Sequence, residues 1–244
     1  MKISVILNCH NEGLLLRGAL DSAVRSMEAA ELAGECELVC IADKASKTTV
    51  QMLAMYAPRI TRIIETKFGD LGLARNAGVA NASGDLVLFL DGDDLWSRNW
   101  VGSAWQAHMK QPSQTILHPQ CCVFFGASSE LLVHPDWRDP YFDPLGLGVR
   151  NHWISLCGIR RDIALEMPFP TVDPEAGFGY EDWSWYRRTI AKGLLHTVVP
   201  ETAHFVRAKE GMSLRKTVSR YDCIPSPEFA EYLAAANQAR PHDL

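Results

Sequence analysis

Five apolar residues in a row, Leu86-Val-Leu-Phe-Leu90, run directly into Asp91-Gly-Asp-Asp94. A short unbroken apolar run marks a strand covered on both faces, as in a parallel sheet with helices above and below. The acids then stand at the carboxyl end of that strand, the edge at which open α/β sheets bind ligands. Asp91 and Asp93 are separated only by Gly92 and can turn towards one point, while the glycine lets a ligand come close to the backbone. Hard oxygen ligands placed in this way suit magnesium or manganese, which usually also hold phosphate oxygens. On its own the tract reads equally as a solvated acidic turn, so its surroundings have to decide.

Those surroundings alternate. Ile3–Leu7 reads as a strand followed by the loop Asn8–Gly13. A helix is expected over Leu14–Ala33, where Leu15, Ala19, Ala23, Met27 and Ala30 recur at helical spacing up to Gly34. Glu37–Ala42 reads as a second strand, closed by Asp43–Thr49, with a short helix through Met55. Ile60–Glu65 is a third strand and Leu71–Ala82 a helix broken by Ser83-Gly84. Alternating β and α elements build a mostly parallel sheet with helices on both faces, an α/β three-layer sandwich. Right-handed crossovers then gather the polar strand-end loops along one edge.

The second half is less regular. A helix is expected over Trp96–Lys110, then strands Ile116–Phe125 and Glu130–His134 as an antiparallel pair. Residues 135–150 form a loop rich in Pro, Gly and Asp, a length that is usually functional or mobile. Trp153–Arg160 reads as a strand, and Gly177-Phe-Gly-Tyr-Glu-Asp182 opens a helix through Lys192 that Gly193 ends. Leu195–Val199 and Ala203–Arg207 read as two further strands, and Glu228–Arg240, after Pro227, as a C-terminal helix. No repeat or linker divides the chain. The expectation is one domain over 1–244 with two halves, at about 1–95 and about 96–210, and a loop and helix at about 211–244.

Composition limits the partners. A formal net charge of -5 over 244 residues, without a Lys/Arg run, argues against nucleic acid. Seven cysteines, an odd number with no CxxC pair, predict reduced thiols. The first apolar run is too short for a signal-peptide core, and no stretch approaches the roughly 20 apolar residues of a transmembrane helix. A soluble, cytoplasmic protein is expected, with peripheral membrane association left open and oligomeric state undetermined.

Together these segments resemble the family 2 glycosyltransferases of the GT-A fold. Val5–Glu12 is similar to the family's first strand and nucleotide-base loop, and Ile41–Thr49 to a degraded form of its Asp-Asp-Gly-Ser-Thr-Asp stretch. Leu73-Ala-Arg-Asn-Ala-Gly78 and Phe89–Asp94 match closely, and Gly179-Tyr-Glu-Asp182, followed by Arg187 and Arg188, is similar to the late glutamate–aspartate motif. The resemblance spans residue 3 to about 207. It implies metal-dependent transfer of a sugar from a nucleotide-diphospho-sugar to an acceptor hydroxyl of a glycan or other molecule, with inversion. Polysaccharide or lipopolysaccharide assembly is the default setting that the family suggests.

The resemblance also implies roles. Asp93 would hold the manganese or magnesium, with Asp91 on metal or ribose and His204 a further ligand or else a structural histidine. Asp94 belongs to the same acid loop or else caps the following helix, and its role stays open. Asp43 would accept from the nucleobase or ribose, or else start a turn. Asn11 and Glu12 belong to the donor loop, Glu12 on the ribose or in solvent. Arg75 would reach a phosphate or the Asp43 region, and Arg207 the diphosphate; the planar arginine fork suits two oxygens. Asp182 is the candidate general base, since transfer to a hydroxyl needs a carboxylate to take its proton, although acids also favour a helix start. Glu181 would orient the acceptor, and Trp153, Trp183 and Trp185 would stack on sugar rings or pack in the core. The Lys209–Arg215 segment would close over the donor.

Several positions depart from the family pattern. Asn8 stands for proline, His10 for tyrosine, and Ala42 and Lys47 for acids. They leave the base preference open and keep alive a second reading, a catalytically inactive GT-A domain that binds a nucleotide-sugar or glycan. Other enzyme classes fit less well. A nicotinamide dehydrogenase wants GxGxxG after the first strand, where Asn8–Gly13 has one glycine. A phosphatase built on Asp91 and Asp93 lacks the later lysine and acid, and a nucleotidyltransferase lacks its glycine-rich arginine loop.

Overall fold

The computed structural model describes residues 2–32, 34–154, 156–173 and 175–209, together with Tyr232 and Ala234. The apolar runs of the first half become parallel strands: β1 (Ile3–Cys9), β2 (Cys36–Asp43), β3 (Arg62–Thr66) and β4 (Leu86–Asp91). Leu86 to Leu90 are all 0% exposed, as a strand covered on both faces requires. β1 lies between β2 and β4, in a register that sets Cys9 beside Ala42 and Asn8 beside Asp91. The ends of all three strands therefore reach the same edge.

The helices between them are α1 (Leu16–Ala29), α2 (Lys47–Tyr56) and α3 (Leu71–Asn81). α1 buries Leu16, Ala19, Leu20 and Ala23, an i, i+3, i+4, i+7 stripe. It is shorter than the expected Leu14–Ala33, because Gly13–Leu15 forms a 3-10 turn ahead of it. α2 and α3 are capped by Ser46 and Asp70, whose side chains accept from Thr49 N and Leu73 N. α3 lies close on the sheet through Gly78, where a Cβ would come within 2.3 Å of Ile6 Cγ2. That approach carries Arg75 inward.

The second half adds β5 (Leu95–Trp96), α4 (Trp100–Lys110), β6 (Thr115–Gly126), β7 (Glu130–Val133), β8 (Gly158–Arg160), α5 (Arg161–Glu166), α6 (Glu181–Ala191) and β9 (Leu195–Ala208). The sheet order is β3-β2-β1-β4-β8-β6-β9-β5, with β7 on β6. The long ladders are parallel, and the antiparallel pairs made by β5, β7 and β8 are short. One buried cluster lies under α1, α2 and α4, and the other under α3 and α6. The result is the expected α/β three-layer sandwich.

Several expectations need correction. The helix predicted from Trp96 starts at Trp100, because Leu95 and Trp96 pair with Phe205 and His204. Among the described residues of Trp153–Arg160 only Gly158–Arg160 is strand. The strands expected at Leu195–Val199 and Ala203–Arg207 are one. Pro200 reads as a break, but β9 carries the irregularity through Glu201 at φ 60, opposite a register shift between Pro119 and Cys121. Most of the expected helix Glu228–Arg240 lies outside the described residues; Tyr232 and Ala234, within it, are helical. The expected closing loop Lys209–Arg215 is described only at Lys209. Among the described residues no helix is long and apolar enough to cross a membrane, and Cys9, Cys36, Cys40, Cys121, Cys122 and Cys157 are free.

Candidate active site

Asp91 ends β4 and turns towards α3. Arg75 is 0% exposed, and its guanidinium spans two acids: Nη2 lies 3.2 Å from Asp91 Oδ2, and Nη1 donates to Glu181 Oε1 at 2.7 Å. The Phe169 ring lies 5.3 Å from the guanidinium carbon. Asn76 fixes that neighbour by exchanging two hydrogen bonds with the Phe169 backbone. Arg75, expected at a phosphate or the Asp43 region, is buried here with its guanidinium between Asp91 and Glu181. Glu181, expected to orient an acceptor, is 5% exposed and serves Arg75. A chain of contacts thus joins the acid loop after β4 to the start of α6.

Past Asp91 the loop splits its two remaining acids. Asp93 Oδ2 pairs with Lys209 Nζ at 2.5 Å, and its backbone carbonyl accepts from Arg207 Nε at 3.1 Å. The Arg207 guanidinium also lies over Phe125, at 4.5 Å. Asp94 turns inward, is 4% exposed, and accepts from Arg207 N at 2.8 Å. It does not cap α4, whose N-cap is Asn99. Burial, with the charges of Asp93 and Asp91, holds the Asp94 carboxyl well above the usual range. His204 Nε2 stands 3.4 Å from it on β9. His204 is fully buried, and burial pushes its pKa down to about 3, which favours the neutral imidazole. Its Nδ1 has no hydrogen-bond partner among the described residues.

The loop after β1 forms the other wall. His10 Nδ1 lies 2.6 Å from the Asp43 carbonyl oxygen, and Asn11 Nδ2 lies 2.9 Å from His10 Nε2. Glu12 accepts from His10 N at 2.6 Å, and burial raises its pKa. A Cβ on Gly92 would come within 3.1 Å of Glu12 Cγ and Cδ, so the two loops touch where only glycine fits. Asp43 is 6% exposed; its carboxylate accepts from Thr66 Oγ1, Phe68 N and Gly69 N. In this arrangement it fastens the β3–α3 loop.

α6 begins after Tyr180, which takes a left-handed conformation at φ 55 and ψ 61, a strained geometry for a non-glycine residue. Asp182 follows in the first turn, partly accessible. Its Oδ1 accepts from Trp183 N at 2.7 Å and its Oδ2 from Asn151 Nδ2 at 3.3 Å. Burial first, then the adjacent Glu181 charge, push its pKa up to about 7 against the pull of Arg75. A carboxyl poised near neutrality can both hold and release a proton.

Arg75, Asp91 and Glu181 are thus in direct contact. Asp93, Asp94, His204 and Arg207 cluster beside them, and Asn11, Glu12 and Asp43 flank the same edge. Two of the three tryptophans are corrected to core: Trp153 is 1% exposed and Trp185 0%, while Trp183 keeps partial exposure and donates to Leu147 O at 2.6 Å. Sequence reasoning passed over Asn151, which sits in an irregular stretch where no period or motif marks it. Among the described residues no three His, Cys, Asp or Glu side chains are grouped to hold a metal alone.

The whole of this chain overlays solved glycosyltransferase structures of the GT-A class. S. aureus TarS 1-349 in complex with UDP-GlcNAc matches with TM-score 0.69 at 19% identity, over 100% of this chain and 68% of that one. The mannosyltransferase PcManGT from Pyrobaculum calidifontis, in complex with GDP-Man and Mn2+, matches with TM-score 0.60 at 16% identity, over 100% of this chain and 76% of that one. In sequence, residues 4–167 match the model for glycosyl transferase family 2, and the chain belongs to that family. A poly(ribitol-phosphate) beta-glucosyltransferase of Bacillus spizizenii is 29% identical over 98 residues, 38% of this chain and 15% of that protein. An uncharacterized glycosyltransferase of Nostoc sp. is 36% identical over 100 residues, 39% of this chain and 29% of that protein. The chain thus matches less than a third of either relative's length.

Proposed function

We propose that this chain transfers a sugar from a nucleoside-diphosphate sugar to a hydroxyl of a glycan or other acceptor, with inversion at the anomeric carbon. The observation that carries the reading is the contact chain Asp91–Arg75–Glu181 ending beside Asp182, which couples an acid loop to a carboxyl tuned to about 7. Asp182 takes the acceptor proton as the acceptor oxygen attacks the anomeric carbon, and the bond to the nucleoside diphosphate breaks. Glu181, neutralised by Arg75, holds that ion pair and leaves the proton transfer to Asp182.

The donor lies along the edge formed by Asn11, Glu12 and Asp43, with the diphosphate near Asp93 and Arg207. Asp91 and Asp93 offer hard oxygens at one loop, and buried His204 stands beside Asp94, the next acid of that loop. A manganese or magnesium ion would be held there by Asp93 with Asp91, completed by phosphate oxygens, with His204, the third expected ligand, turned to Asp94. Such an ion would neutralise charge developing on the leaving diphosphate. Lys209 and Arg207 supply protein cations to the same place.

The test is donor turnover. Incubated with manganese and each of several UDP-, GDP- and dTDP-sugars, the chain is expected to hydrolyse one of them slowly when no acceptor is present. Chelator and Asp93→Ala should both abolish the reaction. Donor binding with neither transfer nor hydrolysis would establish a binding module instead.

A further inference from the structure

The chain between β7 and β8 encloses a concavity that none of the acids above line. It holds about 300 Å³ and is walled in part by Tyr141, Phe142, Asp143, Gly146, Arg150 and His152. That is the small end of the range for ligand pockets, enough for one ring-sized group. Tyr141 is 93% exposed. Phe142 beside it is fixed, 5.9 Å edge-on from the His152 ring and 5.7 Å from Trp153. One anchored and one open aromatic side chain make an apolar platform with a polar tip.

The polar lining is just as selective. Asp143 and Arg150 are exposed, and the Arg150 guanidinium has no ion-pair partner among the described residues. His152 Nε2 is shielded from solvent yet lacks a hydrogen-bond partner among the described residues. Burial, and then the Arg150 charge, push the His152 pKa down, which favours the neutral ring. One carboxylate, one guanidinium and a neutral imidazole leave the pocket near zero charge. They offer acceptors and donors in planar arrays, suited to the hydroxyls of an uncharged ring whose C–H face rests on an aromatic.

The pocket also neighbours the candidate base. Asn151, between Arg150 and His152, is the residue that donates to Asp182 Oδ2 at 3.3 Å. Consecutive Cα atoms are about 3.8 Å apart, so the pocket wall lies within a residue or two of that contact. Trp183, next to Asp182, bonds the same segment at Leu147 O.

We infer that this pocket is a subsite for a neutral sugar unit of the acceptor, adjoining the unit whose hydroxyl faces Asp182. The inference rests on the transfer reading and adds the substrate class and the residues that recognise it. Saturation-transfer NMR tests it, with a set of neutral methyl hexosides and their disaccharides as probes and with wild type, Tyr141→Ala and Arg150→Ala as proteins. The expected result is saturation of at least one probe by wild type, weakened about five- to tenfold in each variant, the scale of one lost aromatic or polar contact. Both side chains are exposed, so donor affinity and thermal unfolding should stay unchanged. Saturation of no probe, or equal saturation by all three proteins, overturns the subsite. If wild type hydrolyses a donor but gives either result, the subsite alone fails. If it binds no donor yet saturates a probe in a Tyr141- and Arg150-dependent way, the pocket stands and the transfer reading falls.

Discussion

The two sides of the site are built by different means. On the donor side, the positions of Asn8, Asp43 and Asp91 follow from the parallel register of β1, β2 and β4, and backbone N–H groups or strand neighbours hold the side chains. On the acceptor side, Asp182 follows an irregular stretch and a left-handed Tyr180, and its neighbours are Asn151, Trp183 and a buried ion pair. Register fixes where an acid stands along the sheet edge. Burial beside Glu181 raises the proton affinity of Asp182, which is what a proton acceptor needs. The donor side is geometry first, and the acceptor side is electrostatics first.

The largest expected effect separates the two sides. Asp182→Asn keeps the shape of the acceptor side and removes its base, so transfer should fall by roughly 10²- to 10⁴-fold. Donor affinity, read by thermal shift with nucleoside diphosphate and manganese, should not move. The pH profile sharpens this. Because the carboxyl must be ionised to accept a proton, activity should climb through pH of about 7 and level off above it. Stability should run the other way. The folded carboxyl keeps its proton to a higher pH than the unfolded one, near 3.9, so this contribution is full below about 3.9 and lost as pH rises through about 7. Activity flat from pH 5 to 8 would remove Asp182 from the role.

Arg75 is where the sides meet, and its removal should be felt in both. Arg75→Met leaves Glu181 buried without its cation and Asp91 without its neighbour. Breaking a buried pair from one side costs about 3–5 kcal/mol, and the lower end applies because Asp91 is partly in water. Urea unfolding would read that loss. Without the guanidinium, Asp182 loses the charge that lowers its pKa, so the rising limb of the pH profile should move to higher pH. If stability falls but the limb stays in place, Arg75 is a structural rivet and the electrostatic link between the sides is absent.

Much of the donor side was legible because its elements are periodic. An apolar run, a turn and a helical stripe each carry their own physical signature, and the parallel ladder converts them into positions. Asp94 stayed open in the sequence because nothing local tells a helix cap from an acid drawn inward by a strand 110 residues away at His204. The contacts of Arg75 were not legible because an arginine in a helix of small residues looks free to reach outward, and its partner Glu181 is 106 residues distant. Trp153 and Trp185 look alike in sequence to Trp183, and only packing assigns the first two to the core. Asn151 had no signal at all. The acceptor side depends on contacts between distant, aperiodic segments, which is why its residues were the harder ones to read.

The smallest expected effect probes the claim that donor-side acids are scaffold before they are ligands. Asp43 accepts three hydrogen bonds from Thr66, Phe68 and Gly69 and is almost fully covered. Asp43→Asn preserves its volume but turns one acceptor oxygen into an N–H donor facing the Thr66 hydroxyl and Phe68 N–H or the Gly69 N–H, whichever way the amide settles. An unsatisfied buried polar group of this kind costs about 1–3 kcal/mol, and Gly69 immediately precedes Asp70, the residue that caps α3. Stability should therefore drop by that amount in urea unfolding, with donor affinity falling alongside it as the β3–α3 loop loosens. If stability is unchanged while donor affinity falls tenfold or more, Asp43 spends its carboxylate on the ligand and not on the loop. The donor side would then depend on tuned side chains as much as the acceptor side does.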